Sequence, residues 1–318
     1  MQQRMLGSTG FAVTPLAFGG NVFGWTADEP TSFSLLDAFV AAGGNLIDTA
    51  DAYSRWVPGH TGGESEAIIG RWIARRGRHD DVVIATKVGS DMGLGYRCLR
   101  KDYILRAAED SLRRLKVDAI DLYQSHWDDD NTPFEETLEA YAQLIRQGKV
   151  KAIGASNLSA ERLAQALAAS REHNLPHYAT LQPHYNLYER ASFEGPLQDL
   201  CVKEDIAVIT YFSLASGFLS GKYRSETDFG KSARGKGMAK YLNPRGHAIL
   251  DALHAVAERL SATPPQVALA WLMTRPAVAA PIASATSVEQ LSELMASTRL
   301  TLPTEALRAL DAASASHG

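Results

Sequence analysis

Short apolar runs recur along this chain at residues 16–18, 46–47, 82–86, 119–123, 150–153, 178–181, 207–210 and 278–282. Each is nearly unbroken in hydrophobicity. That is the pattern of parallel strands buried on both faces, not the alternation of a sheet with one wet face. Amphipathic stretches lie between the runs. Phe134, Leu138, Tyr141 and Ile145 fall at i, i+4, i+7 and i+11 and share one helical stripe. Thr132-Pro133-Phe134-Glu135 predicts that helix's start as a capping box with proline at the first helical position, and Gly148 predicts its end. Another helix is expected from Ser159, with Leu158 and Leu163 placed to pack across the cap. Ahead of the first run, Gly7-Ser8-Thr9-Gly10 reads as the turn of a β-hairpin. Eight strands, each with a crossover helix, predict an α/β fold: a (β/α)8 TIM barrel preceded by the hairpin, as a single domain over residues 1–318. A doubly wound sheet is the rival topology, but the first βα turn lacks a G-x-G-x-x-G sequence followed by an acidic residue. The rhythm breaks over residues 222–244, rich in Gly, Lys and Arg, which read as a long mobile loop after strand seven.

The chain has 318 residues, 45% hydrophobic and 21% charged, with a net charge of −4. This describes an ordinary globular protein with a large core and offers no basic surface for nucleic acid or an anionic membrane. Cys98 and Cys201 stand in unrelated contexts, without metal-ligand spacing, and are expected to be free thiols. The opening MQQRMLGSTG has no apolar signal core, and no stretch reaches membrane-spanning length, so a cytoplasmic location is expected.

In a barrel, reactive groups gather at the C-terminal ends of strands. Asp48 ends the second run and Tyr53 follows it, Lys87 ends the third, and His126 ends the fourth. A strand-end lysine or aspartate alone is more often a structural ion pair, and a lone histidine is usually packing. Four convergent groups of suitable chemistry reverse that reading. Reducing a carbonyl requires a proton for the developing alkoxide, and a tyrosine with an ordinary pKa near ~10 is a poor acid at neutral pH. A neighbouring cation stabilises the phenolate and eases the transfer. Lys87 would supply that field and Asp48 would fix the ammonium. His126 would hydrogen-bond the carbonyl oxygen and orient it.

These residues resemble the aldo-keto reductases. The likeness is carried by Ile47-Asp48-Thr49-Ala50 with Tyr53, Gly63-Glu64-Ser65-Glu66, Ala85-Thr86-Lys87, and Ser111-Leu112-Arg113-Arg114-Leu115 leading to Asp121-Leu122-Tyr123. Gly154-Ala155-Ser156-Asn157, Gln182 with Tyr185-Asn186, and Ser220-Gly221-Lys222 continue it, so it spans nearly the whole chain. The closer likeness is to the bacterial and potassium-channel β-subunit branches. The resemblance implies a nicotinamide cofactor, NADP(H) with NAD(H) as the alternative, no metal, and a catalytic tetrad of Asp48, Tyr53, Lys87 and His126. It implies that Ser156, Asn157 and Gln182 hold the carboxamide, that Tyr211 stacks on the nicotinamide ring, and that Ser213, Leu214 and Lys222 line the diphosphate path. Gly20, Asn21 and Asp48 are expected on the cofactor side, as is Arg234 of the long loop. Ser284, Thr286 and Gln290 match the adenosine end. Many relatives have Gly-Ala-Arg where this chain has Ser284-Ala285-Thr286, and Leu294 replaces a common asparagine. Charge for a 2′-phosphate would then come from the long loop, through Arg224, Lys231, Arg234 and Lys236. Phe23, Trp25, Trp56 and Trp127, on loops at the active face, are expected to wall a pocket for a small carbonyl substrate.

Three rival readings stay open at this level: a cofactor-sensing regulatory subunit, a Schiff-base aldolase using Lys87, and a sugar or alcohol dehydrogenase running in the oxidative direction. The physiological substrate and any homo-oligomeric state are not written in the sequence.

Overall fold

The computed structural model describes residues 2–232 and 235–315. Strands β1 (Arg4–Met5) and β2 (Ala12–Val13) form an antiparallel hairpin. Eight parallel strands follow: β3 (Ala17–Gly19), β4 (Leu46–Asp48), β5 (Val83–Val88), β6 (Ile120–Ser125), β7 (Val150–Ser156), β8 (Thr180–Gln182), β9 (Ala207–Thr210) and β10 (Val278–Ala283). They close into a barrel because β10 pairs with both β9 and β3, with Ile282 opposite Ala17 and Ala283 opposite Phe18. All eight apolar runs are therefore barrel strands. The closure excludes the doubly wound sheet.

The strands connect through α1 (Glu29–Ala41), α2 (Glu64–Arg76), α3 (Lys101–Leu115), α4 (Phe134–Arg146), α5 (Ala160–Glu172) and α6 (Pro196–Lys203). Two helices, α7 (Pro244–Arg259) and α8 (Pro264–Met273), cover the last crossover, and α9 (Val288–Ala296) follows β10. The helix α10 (Thr304–Ser314) packs on α7. The strand-helix rhythm gives no sign of α7 and α10 as additions, since both carry the same amphipathic pattern as the crossover helices. Among the described residues no helix is long and apolar enough to cross a membrane.

Two apolar clusters hold the architecture. The larger lies between strands and helices and includes Leu36, Phe39, Trp72, Leu138, Tyr141, Leu163 and Trp271. Burying each such aliphatic or aromatic side chain contributes ~1.5–3 kcal/mol. The smaller fills the lower barrel with mostly small side chains, among them Ala17, Ala85, Ala152 and Ala280, and is closed from below by Leu6 and Val13 of the hairpin. The hairpin turn needs glycine at position 7: its φ is +54, and a Cβ there would meet the Ala179 carbonyl at 2.4 Å.

At α4 the stripe is as expected, with Phe134, Leu138 and Tyr141 buried and Ile145 packed against the core. The helix hands over at Gly148, in the left-handed conformation with φ +70. Its predicted capping box is not formed. Pro133 is the N-cap, with no side-chain cap bond, and the Thr132 hydroxyl donates at 2.7 Å to Asp129 instead. Asp129 also accepts the Leu99 and Asn131 amides, so the preceding loop captures the hydroxyl. Ser159 does cap α5, accepting the Arg162 amide, and Leu158 and Leu163 are both buried. Residues 222–244 are not a featureless loop. Their described part contains 3-10 turns over Glu226–Lys231 and Gly235–Tyr241, and Met238 and Tyr241 are buried. The Tyr241 ring stacks on Phe218 at 4.9 Å. Both cysteines are free and buried.

Candidate active site

At the C-terminal rim of the barrel, β4 delivers Asp48 and β5 delivers Lys87, each pointing into the lumen and almost wholly buried. The Lys87 ammonium donates to three acceptors: Asp48 Oδ2 at 2.7 Å, the Thr49 carbonyl at 2.8 Å and the Tyr53 hydroxyl at 2.8 Å. Three acceptors match the three protons of a charged ammonium. Burial pulls the Lys87 pKa below its ordinary value, and the Asp48 carboxylate opposes this most strongly. The Tyr53 hydroxyl in turn donates to Asp48 Oδ2 at 3.0 Å, and the Lys87 Nζ lies 4.6 Å from the Tyr53 ring centroid. The hydroxyl thus sits between an ammonium and a carboxylate. Its loop is pinned by Ser54, which adopts φ 72 and donates to the Phe23 carbonyl at 2.6 Å.

His126 follows β6. Its ring centroid is 6.0 Å from that of Tyr53, and Nδ1 is engaged by the Ser90 hydroxyl at 3.0 Å. Burial, then the positive charges of Lys87 and Arg97, hold its pKa well below the usual histidine value, so it is neutral near pH 7. In the tautomer whose Nδ1 accepts from Ser90, the proton resides on Nε2, the nitrogen left for a ligand.

These side chains border a cavity of about 1040 Å³ that runs from the barrel axis toward β10. Asp48, Tyr53 and His126 line it, whereas Lys87 lies behind them and reaches the cavity only through Tyr53. Ser156, Asn157, Gln182 and Tyr211 line the next sector. Gln182 Nε2 donates to Asp48 Oδ1 at 2.8 Å, and Asn157 donates to the His126 carbonyl at 2.9 Å. Tyr211 donates to Asn157 Oδ1 at 2.8 Å, and His184 stacks on its ring. Beyond Tyr211 the backbone takes left-handed values at Phe212, Ala215 and Ser216 (φ 50, 48 and 58), uncommon for residues with a Cβ and frequent at ligand sites. Ser213, Leu214, Lys222 and Lys231 border this stretch, and Asn21, Ser284, Thr286 and Gln290 line the far end. The Ser284 hydroxyl lies within hydrogen-bond distance of the Gly19 carbonyl and Asn21 Oδ1, both at 2.7 Å, while Gln290 accepts from the amide and hydroxyl of Thr286, both at 3.0 Å.

One elongated site therefore presents a polar rim beside an aromatic plate, then two lysines, then hydroxyl and amide groups. That donor set fits a nicotinamide ring, a diphosphate and an adenosine in order. On the substrate side Trp25, Trp56 and Trp127 line the cavity, Trp25 meeting Trp56 edge-on at 5.6 Å.

Two expected residues are elsewhere. Phe23 is fully buried and stacks on Phe18 at 5.4 Å, because the apolar chain after β3 turns into the core before Trp25 emerges. Gly20 is also buried and does not border the cavity, its carbonyl accepting the Ser65 hydroxyl at 2.8 Å. Arg234 lies outside the described residues. Arg55, His60, Ser90 and Phe212 line the cavity without having been singled out from sequence. The signal available for them was adjacency, since Arg55 follows Tyr53 by two residues and Ser90 follows Lys87 by three.

The model of the Aldo/keto reductase family matches residues 15–315. The chain is 35% identical to the uncharacterized oxidoreductase YrpG of Bacillus subtilis (strain 168), over 98% of this chain and 95% of that protein. It is 34% identical to the aldo-keto reductase YhdN of the same organism, over 91% and 85% of the two chains. A probable voltage-gated potassium channel subunit beta of Arabidopsis thaliana is 31% identical, over 93% and 90%. A family match over nearly the whole chain, on a barrel whose rim gathers Asp48, Tyr53, Lys87 and His126, makes this protein a member of the aldo-keto reductase family of oxidoreductases.

Proposed function

We propose that the protein reduces aldehydes and ketones to alcohols with a nicotinamide cofactor, NADP(H) in preference to NAD(H), and that residues 1–318 work as one catalytic unit. The observation that carries this reading is the Tyr53 hydroxyl held 2.8 Å from the Lys87 ammonium at the wall of the cavity. When bound, the cofactor supplies the hydride. Ser156, Asn157 and Gln182 would hold its carboxamide, with Tyr211 under the ring. His126 donates from Nε2 to the substrate oxygen and fixes its position. Tyr53 gives its proton to that oxygen as negative charge develops there, and Lys87 stabilises the phenolate left behind. Asp48 keeps the ammonium in place. Consumption of NADPH with 4-nitrobenzaldehyde, followed by loss of reduced-nicotinamide absorbance, tests the reading directly. Binding of NADPH without turnover of any carbonyl compound would favour a cofactor-sensing role.

The three tryptophans support apolar substrates. Burial of apolar surface is worth ~25 cal/mol per Å², so aromatic and medium-chain aldehydes are expected to show higher kcat/KM than free aldoses. A preference for hexoses in a substrate panel would overturn the apolar-pocket assignment.

Cofactor choice should be moderate and salt-sensitive. Thr286, where many relatives carry arginine, offers a hydroxyl already engaged with Gln290, so positive charge near a 2′-phosphate would come from exposed loop side chains such as Lys231. Such charges are screened within ~8–10 Å at physiological salt. Fluorescence titrations should show NADPH bound more tightly than NADH at low salt, with the gap narrowing at high salt. Tighter NADH binding would refute the NADP(H) assignment.

A further inference from the structure

Lys222 and Lys231 lie on the cofactor side of the cavity, but the substrate side carries cations of its own. Arg55 lines the cavity two residues beyond Tyr53, and Arg97 lies over Trp127, its guanidinium carbon 4.2 Å from the ring centroid. Both are exposed. Among the described residues neither forms a salt bridge, while other arginines do, such as Arg71 with Glu29, Arg114 with Glu66 and Arg162 with Asp128. Arg55 donates to the main-chain oxygen of Asp91. The Asp91 carboxylate, the acidic group beside it, is turned to the amides of Gly93 and Gly95 at 2.9 and 3.0 Å.

The position of Arg97 is set by rings. Trp127 lies nearly parallel to His126, at 12° and 5.8 Å, and His126 is 6.0 Å from Tyr53. A guanidinium stacked on an aromatic face keeps its in-plane N–H groups free for an anion, and the forked donors match a carboxylate. Arg97 is close enough to the reacting centre for its charge to help depress the His126 pKa. The substrate side thus offers two tryptophans in edge-on contact, a third under an arginine, and two exposed guanidiniums outside any salt bridge among the described residues, although the charge of Arg55 still reaches Asp91.

We propose that the preferred substrates are aromatic aldehydes or ketones bearing a second, anionic group such as a carboxylate, bound by Arg97 and Arg55 while the tryptophans enclose the ring. The proposal rests on the reductase reading for which end of the molecule faces Tyr53. The arginines are specificity-determining and take no part in proton transfer.

The probe pair is 4-carboxybenzaldehyde and its neutral ester methyl 4-formylbenzoate. They are titrated against the NADP⁺-loaded protein by quenching of tryptophan fluorescence, and assayed for turnover with NADPH. The acid should bind about tenfold more tightly than the ester at low salt, as expected for charge-assisted bonds at a partly exposed site. High salt should narrow that ratio. Arg97→Gln and Arg55→Gln should each reduce the ratio, and the double variant should bring it near unity, whatever happens to turnover of the ester. Equal binding of acid and ester by the wild type, or an unchanged ratio in the double variant, overturns the proposal. A binding preference that persists while neither aldehyde is turned over supports the anion site and counts against the reductase reading instead.

Discussion

Replacing Tyr53 by phenylalanine should lower kcat for aldehyde reduction by a factor of ~10²–10⁴, the usual contribution of a positioned general acid. The ring would remain against the Lys87 ammonium, 4.6 Å away in the wild type, so the pocket wall is kept. What is lost is the hydroxyl that lies 2.8 Å from Lys87 and 3.0 Å from Asp48. Cofactor affinity should hardly change, because the carboxamide and diphosphate would be held by Ser156, Asn157, Gln182 and the 213–222 strip. Steady-state kinetics beside a fluorescence titration of NADPH separates the two effects. A variant that retains most of its kcat would remove Tyr53 from the mechanism. Lys87→Met should cost a similar factor in rate but differ in stability. It leaves the buried Asp48 carboxylate without its cation, a change worth about 3–5 kcal/mol when one partner of a buried pair is removed. A large fall in Tm for Lys87→Met, set against a small one for Tyr53→Phe, would separate the structural role of the lysine from the chemical role of the tyrosine.

The parts of this molecule that were legible in the sequence are those with a strong local signal. The barrel strands are apolar throughout because both faces are buried, and the reactive groups stand at their ends because that is where side chains leave the packed lumen. Asp48, Lys87 and His126 could be placed for this reason without knowing a single contact. Phe23 could not, since a loop aromatic that turns inward onto Phe18 has the same local context as Trp25, which lines the cavity. Thr132 shows a similar limit. Its neighbours spell a capping box, but Asp129, three residues earlier, competes for the hydroxyl and takes it. The left-handed backbone at Phe212, Ala215 and Ser216 falls on residues with a Cβ, and only Gly217 at its end hints at it. Arg55 and Arg97 look like any surface arginines until tertiary structure shows which acids are already occupied.

Substitution of Asp51 should change stability in a strongly pH-dependent way. It lies between Asp48 and Tyr53 in sequence and is buried, with one carboxyl oxygen lacking any hydrogen-bond partner. Counting nearby charges explains its state. Lys87 is paired with Asp48 at 2.7 Å and Arg114 with Glu66 at 2.6 Å, so neither of these cations is free to pair with a third acid. Burial, followed by the charge of Glu66, pushes the Asp51 pKa up to about 8, against partial relief from Arg114. Asp51 is therefore protonated in the folded protein near neutral pH, while in the unfolded chain it is ionised above about pH 4. Between those two values the folded state binds the extra proton, so the Asp51 contribution to stability falls as pH rises, by ~1.4 kcal/mol per pH unit, and levels off above pH 8. The amide of Asp51→Asn reproduces the neutral acid without requiring that proton. Relative to wild type, the variant should gain nothing near pH 4 and gain increasingly toward pH 8, reaching on the order of 4 kcal/mol at pH 7. Urea unfolding of both proteins across pH 4–9 reads this term, since titrating groups that do not interact with Asp51 cancel in the difference. A difference that stays flat over that range would mean that Asp51 is ionised in the folded protein, held by a cation that the pairing of Lys87 and Arg114 does not leave free.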